Sequence, residues 1–217
     1  MAEVRADSPG WGIIRRADGW ENGWHADLVV LGATKKSIVS RVLMGTVSQQ
    51  VMTFARCSVR IARPRSASAS RVSRLVIGVD DSLTSDCAVK EVCRRIWAPG
   101  SEVRLVCVPD SKMLTIPAIQ ADSVHSTQKA AEIIADQASR EFSAAGLSVT
   151  TCVTKGEPKN ELIKQAEGIA ADCVFVGARG LTRIERILLG SVSLAVALRA
   201  PCSVEVARPA ASNPSTA

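Results

Sequence analysis

The segment Asp172–Ser193, DCVFVGARGLTRIERILLGSVS, contains an apolar run, a polar loop with glycines and the start of a second apolar run. The run that ends at Gly177 is typical of a buried strand, and Gly190-Ser191 is typical of a helix start. Gly177 lets a ligand approach the backbone, and Gly180 tolerates a turn with positive φ. The first N–H groups of a helix favour an anion. The pattern predicts an anion-binding loop, although ordinary turn and cap chemistry uses the same residues.

The pattern occurs twice in the chain. The segment from Asp27 to Pro64 matches the segment from Asp172 to Pro209 without a gap, at a constant offset of 145, and nearly half of the paired residues are identical. A repeat of this length indicates a duplicated domain and not a solenoid. The first copy, residues 1–64, is interpreted as the C-terminal half of a domain. The hypothesis that follows is that either the true start lies upstream or the gene is degenerating.

The second copy contains the predicted helices and strands of a complete domain. Apolar runs typical of buried strands alternate with amphipathic helices over residues 74–209, in the order βαβαβαβαβ. This order predicts an α/β fold with a doubly wound, five-stranded parallel sheet covered by helices on both faces. Residues 65–73, rich in Ser, Ala and Arg, are predicted to be a flexible linker, and residues 210–217 a disordered tail.

The first copy is expected to contain the elements of a half-domain. These are a helix near Trp11–Trp20, a strand at Asp27–Leu31, a helix after Gly45-Thr46 and a strand at Ser58–Ala62. Such a half-domain lacks neighbouring strands and should not form a core of its own.

Composition excludes several classes of protein. The chain is 47% hydrophobic and 3% aromatic with a net charge of +6, and scattered arginines without interleaved aromatics argue against nucleic acid binding. The seven cysteines form no C-x-x-C pair, so we expect small buried side chains in a reducing cytosol. No signal peptide or membrane-spanning run is visible, and the expected location is cytoplasmic.

The loop also supports an inference by resemblance. The spacing G-x-x-G, nine residues, then G-[ST], at Gly177, Gly180, Gly190 and Ser191, resembles the nucleotide-binding signature of the universal stress protein family. The resemblance covers Arg74 to Pro209 fully and the first copy in part. It implies the adenine nucleotide alpha hydrolase-like fold with strand order 3-2-1-4-5, and it implies ATP, accompanied by Mg²⁺, as the ligand.

Ligands of open doubly wound sheets bind beyond the carboxyl ends of the strands, where the strand order reverses. The resemblance implies that Asp80 contacts adenine or ribose and that the Val108 backbone binds the adenine edge. It also implies that Val176 and Gly177 flank the base and ribose. The remaining implied contacts are Val79, whose residue type departs from some members, and the phosphate-binding residues Gly180, Gly190, Ser191 and Val192. Asp80 could instead cap the following helix.

The first copy is expected to hold no nucleotide of its own. Gly32, Gly45 and Thr46 keep three positions of the loop, but Lys35 stands where the second copy has Gly180. The strand that would carry an adenine contact is also missing. A packing role is therefore predicted for this copy.

Three functions are compatible with these features. The first is a stress-response module in which ATP is a regulatory ligand without a notable reaction, slow hydrolysis being left open. The second, an adenylyl-transferring ligase, would need a lysine or an acidic pair near the loop, which the sequence does not show. The third is a scaffold that does not depend on nucleotide. The resemblance implies dimers through the last strand, Cys202–Ala207, so we expect either a homo-oligomer or an intrachain pseudo-dimer in which Ser58–Ala62 takes the partner's place.

Overall fold

The computed structural model describes residues 8–20, 24–33, 44–64, 72–80, 82–109, 120–178 and 189–209. The elements in these ranges, in chain order, are α1 (Pro9–Ala17), β1 (Leu28–Gly32), α2 (Thr46–Phe54), β2 (Ser58–Ala62), β3 (Arg74–Val79), α3 (Leu83–Cys93), β4 (Glu102–Cys107), α4 (Gln120–Ala144), β5 (Ser148–Val153), α5 (Pro158–Gly168), β6 (Cys173–Gly177), α6 (Ser191–Arg199) and β7 (Ser203–Ala207). The predicted linker and tail lie almost wholly outside the described residues.

The second copy has the predicted sheet. Its strands follow the order β5-β4-β3-β6-β7, and every neighbouring pair among them is parallel. Numbered within the second copy, this is the order 3-2-1-4-5 of the doubly wound α/β fold. The prediction of fold class is therefore confirmed. The first strand, β3, lies in the centre because its residues are apolar on both faces.

The first copy extends the same sheet. β1 pairs parallel with β2, and β2 pairs antiparallel with β7, which gives one seven-stranded sheet with β1 at its edge. The helices and strands predicted in this copy are all present. The predicted intrachain pairing of Ser58–Ala62 with the last strand is present as well.

The first copy has no separate core. Its buried side chains, among them Ile14, Val51 and Met52, belong to one apolar cluster with Val174, Val196 and other residues of the second copy. A second cluster lies under α3 and α4 and contains residues of the second copy. Fully burying an aliphatic side chain contributes about 1.5–3 kcal/mol. Stability of the first copy therefore depends on its contact with the second.

Two buried arginines hold the copies together in a reciprocal way. The Arg63 guanidinium donates to the carbonyl oxygens of Cys202, at 2.9 Å, and Ala197, at 2.6 Å. The Arg208 guanidinium donates to the carbonyl oxygens of the repeat-equivalent residues, Cys57 and Met52. The two copies are thus related by a pseudo-two-fold axis. Burial lowers the pKa of both arginines, that of Arg208 to about 10.

The cysteines are free thiols. Cys57, Cys107, Cys173 and Cys202 are buried, and the other three are half-buried. Burial raises the pKa of the Cys107 and Cys202 thiols to about 11, so both remain protonated at neutral pH. These four cysteines act as small apolar side chains, as predicted. None of the described helices is both long enough and apolar enough to cross a membrane.

Gly177, the last residue of β6, is required by internal packing. A Cβ built on it would lie 2.5 Å from the carbonyl carbon of Thr84 and 2.7 Å from the amide nitrogen of Ser85, in the first turn of α3. Gly32 is its equivalent at the end of β1, and a Cβ there would have no neighbour within 4 Å among the described residues. The difference arises because the first copy has no helix equivalent to α3 in its described part.

Arg208→Met should lower the free energy of unfolding by about 2–4 kcal/mol, because it removes two charge-assisted hydrogen bonds from buried carbonyl groups. Urea denaturation followed by circular dichroism would measure this. Arg94→Met is the control, since the Arg94 side chain is 64% exposed and its ion pair contributes at most about 1 kcal/mol. Equal losses in the two variants would contradict the structural role of Arg208.

Gly177→Ala should lower the free energy of unfolding by about 1–3 kcal/mol, since the added methyl group must displace the backbone of α3. Gly32→Ala, the matched change in the first copy, should shift it by no more than about 0.5 kcal/mol. Thermal unfolding of both variants would show the difference. If Gly177→Ala were as stable as the native chain, the close packing of α3 on β6 would be wrong.

Candidate functional site

Three neighbouring parallel strands end at one edge of the sheet. β3 lies between β4 and β6, with Val79 opposite Cys107 and Ile77 opposite Phe175. Adjacent strands are about 4.8 Å apart. The residues that follow these strands, Asp80, Val108 and Ala178, therefore leave the sheet close together. The structure thus brings together the predicted site residues at the strand ends.

Asp80 shapes the turn that leads into α3. Its Oδ1 accepts hydrogen bonds from the Ser82 backbone N–H, at 3.1 Å, and from the Ser82 hydroxyl. Its own N–H donates to Ser85 Oγ at 3.0 Å. Ser82 is the residue that caps α3, because its Oγ accepts from the Ser85 N–H. Asp80 therefore stabilises the turn before α3, and the hydrogen bonds from Ser82 fix the position of its carboxylate.

The start of α6 is tied to the end of β6. The Gly190 N–H donates to the Ala178 carbonyl at 2.7 Å, and Ser193 Oγ donates to the Gly177 carbonyl at 2.5 Å. Gly190 is the N-cap of α6 and makes no side-chain cap, while Ser191 is exposed. The first-turn N–H groups of α6 thus receive no acceptor from an N-cap side chain. Gly180 lies outside the described residues.

Two helix N-termini converge on the end of β6. The first turn of α3 packs on Gly177, and the N-cap of α6 is bonded to Ala178. Each helix start carries a partial positive charge of about half an elementary charge. The Gly177–Ala178 segment is consequently flanked by two helix starts, of which that of α3 lies beside the Asp80 carboxylate and that of α6 has no N-cap side chain. This arrangement favours an anion near the start of α6.

The valines of the predicted site contribute mainly backbone. Val79 and Val176 are 6% and 3% exposed, and their side chains belong to the two different core clusters, on opposite faces of the sheet. Val108 is half-buried at the end of β4. Side-chain contact of Val79 or Val176 with a ligand would require displacement of the core. Any contact that they make at the sheet edge is therefore through main-chain atoms.

A cleft beside Asp80 was not predicted from the sequence. It has a volume of about 110 Å³, lies between α3 and α4 and is lined in part by Ser85, Asp86, Gln137 and Glu141. Its carboxylates disfavour phosphate, so an anion is favoured on the α6 side of the strand ends. The polar run Ser82–Ser85 after the buried strand β3 was a signal for this region. No group of three or more potential metal ligands is present among the described side chains.

Comparisons with known proteins agree on one family. A model of the universal stress protein family matches residues 3–63 and 72–208. A universal stress protein of Methanocaldococcus jannaschii is 41% identical over 63 residues, which are 29% of this chain and 37% of that protein. A universal stress protein of Mycobacterium bovis is 27% identical over 187 residues, covering 84% of this chain and 62% of that protein. The chain thus spans less than two thirds of these relatives.

A solved structure supports the same relationship at the level of the fold. The universal stress protein of Archaeoglobus fulgidus shares 23% identity and superimposes with a TM-score of 0.65, over 96% of this chain and 71% of that protein. The similarity extends over both copies of the repeat. With the family model matching most of the sequence and the strand order in agreement, the chain belongs to the universal stress protein family.

Proposed function

We propose that the chain binds ATP, with Mg²⁺, at the sheet edge formed by β3, β4, β6 and the start of α6, and that the nucleotide is a regulatory ligand. The observation that carries the proposal is the meeting of two helix N-termini at Gly177–Ala178. A triphosphate is the ligand that this charge distribution favours. The proposal is supported by the general rule that doubly wound sheets bind nucleotides beyond the strand ends where the strand order reverses.

The base and ribose would lie between Asp80 and Val108. Asp80 Oδ1 accepts hydrogen bonds from Ser82, which fixes the carboxylate at the end of β3. A carboxylate in this position can accept from a ribose hydroxyl or an adenine amino group. The main chain at Val108, one strand away, offers the paired donor and acceptor that recognise an adenine edge. Val79 would line the space between them through main-chain atoms, and Val176 and Gly177, on the other side of β3, would flank the base and ribose in the same way.

The phosphates would lie against the first turn of α6. Ser191 and Val192 supply N–H groups of this turn. The Gly190 N–H is bonded to the Ala178 carbonyl, so Gly190 would contribute by leaving room for a phosphate oxygen. Gly180 belongs to the proposal on the strength of the sequence motif. Mg²⁺ is commonly held by substrate phosphates and water with few protein carboxylates, which suits the absence of a metal-ligand cluster among the described side chains.

A regulatory role is favoured over catalysis by the surroundings of the edge. Its described polar groups, Asp80, Ser82 and Ser85, bond to one another at the start of α3. His25 precedes β1 in the first copy, at the far side of the sheet from β3. In the described part of the chain, therefore, no base is aimed at the place proposed for the phosphates.

A nucleotide-independent scaffold is the second candidate. It is favoured by the structural use of Gly177, which α3 covers, and by the continuous seven-stranded sheet that joins the two copies. The two candidates differ in one measurable property. The scaffold should show no heat and no change in melting temperature on addition of ATP.

Gly190→Asp should weaken ATP binding by about tenfold or more, because it places a carboxylate where the phosphates would lie. Asp is a good N-cap, so α6 should remain folded. Isothermal titration of the full chain with ATP and Mg²⁺ would measure the affinity. Gly45→Asp, the same change at the N-cap of α2, is the matched control and should bind as the native chain does. Identical heats for both variants and the native chain would contradict the site.

Asp80→Asn should weaken ATP and AMP by a similar factor, about fivefold, because it removes the charge while it keeps an oxygen acceptor for Ser82. Gly190→Asp, in contrast, should affect ATP much more than AMP. Titrations of the two variants with both nucleotides would separate recognition of the base and ribose from recognition of the phosphates. Unchanged affinity of Asp80→Asn for both ligands would remove Asp80 from the site.

A further inference from the structure

The pairing of β2 with β7 places two repeat-equivalent residues directly opposite each other. The antiparallel register joins Val59 to Val206, Arg60 to Glu205 and Ile61 to Val204. Arg60 and Glu205 are separated by 145 residues, which is the offset of the repeat. The pseudo-two-fold axis therefore passes between these two side chains.

The two strands are nearly identical in sequence except at this axis. Residues 58–63 read SVRIAR and residues 203–208 read SVEVAR. One difference, Ile61 against Val206, is conservative. The other, Arg60 against Glu205, reverses a charge. The position on the axis, residue 60 in the first copy and 205 in the second, is thus the one place in these strands where the copies differ in charge.

The remaining contacts across the axis do not distinguish between partners. Arg63 and Arg208 are the same residue in the two copies, and each donates to equivalent carbonyl groups of the other copy. The backbone N–H groups also bond across the interface: that of Arg63 donates to Ser203 Oγ at 3.0 Å, and that of Arg208 donates to Ser58 Oγ at 3.1 Å. Two second copies from different chains could form all of these bonds with each other. Partner choice must come from another contact.

The pair of Arg60 and Glu205, which lies on the pseudo-two-fold axis, supplies such a contact. Glu205 is fully buried, and its carboxylate accepts from Arg60 Nε at 2.8 Å and from Arg95 Nη1 at 2.9 Å. Both guanidinium groups also lie over the Phe175 ring, with Cζ 5.7 Å and 5.4 Å from its centroid. The carboxylate thus bonds to one cation from each copy.

Pairing of β7 with β7 of a second chain would replace this arrangement with like charges. Across a true two-fold axis, Glu205 would face the same residue of a second chain, and each carboxylate would keep Arg95 but lose Arg60. Two first copies paired through β2 would place Arg60 against Arg60. Like charges directly opposite each other destabilise a strand pair, and burial increases the effect. Pairing of β2 with β7 is the combination that brings opposite charges together.

We propose that Arg60 and Glu205 select the partner of the last strand, so that β7 pairs with β2 of the same chain and not with a second molecule. The first copy serves as a built-in partner strand. This inference is independent of nucleotide binding. It predicts that the full chain does not self-associate through β7.

The test compares the full native chain with Arg60→Glu and Arg60→Met. Arg60→Glu creates the like-charge pair that self-pairing would produce, whereas Arg60→Met removes the cation without adding a negative charge. Hydrogen exchange detected by mass spectrometry would report on the β2 and β7 amides, and native mass spectrometry would report on assembly. Protection of β3, β4 and β6 serves as the internal control for folding.

The native chain should be a monomer of 23.0 kDa with protected β2 and β7 amides. In Arg60→Glu these amides should exchange about tenfold faster than in Arg60→Met, with β3, β4 and β6 unchanged. Equal exchange in the two variants would overturn the proposal. So would a native dimer in which β7 is protected and β2 is not.

Discussion

The antiparallel ladder between β2 and β7 is the interaction on which the organisation of this chain depends. It joins two copies of a repeat, and the described part of the first copy contributes two strands to the shared sheet. On both sides of the ladder a buried arginine from one copy bonds to main-chain carbonyl groups of the other. Buried guanidinium groups are costly unless they are paired, so these bonds tie the position of each copy to the other. The shared apolar cluster follows from that placement.

The same placement explains why the copies differ in chemical capacity. In the second copy, α3 starts beside β6 and brings its N-terminus onto Gly177. In the first copy, Gly32 has no such neighbour among the described residues, although the residues at the start of α2 resemble those at the start of α6. Among the described residues, two helix starts therefore meet at a strand end in the second copy and not in the first. The first copy keeps part of the motif and has a structural role.

The candidate site, at the carboxyl ends of the strands, and the interface between the two copies are formed by different parts of β6 and β7. The carboxyl end of β6 meets the helix starts, while the edge of β7 meets β2. Ser193, in the first turn of α6, donates to the Gly177 carbonyl, and Arg63 donates to the Ala197 carbonyl near the other end of α6. A ligand at the start of α6 would therefore lie on a helix whose other end receives a bond from the first copy.

The sequence by itself determined the repeat, the helices and strands, the parallel order of the second copy and the residues at the strand ends, because apolar periodicity and glycine positions are local properties. Which of these residues touch was decided by tertiary structure. The sequence offered two roles for Asp80, and the structure shows its Oδ1 bonded to Ser82. It marked Gly177 as room for a ligand, and the structure shows α3 packed there. Arg95 had no distinguishing signal, since its contact with Glu205 joins residues far apart in the chain, and such contacts exist only after the sheet has assembled.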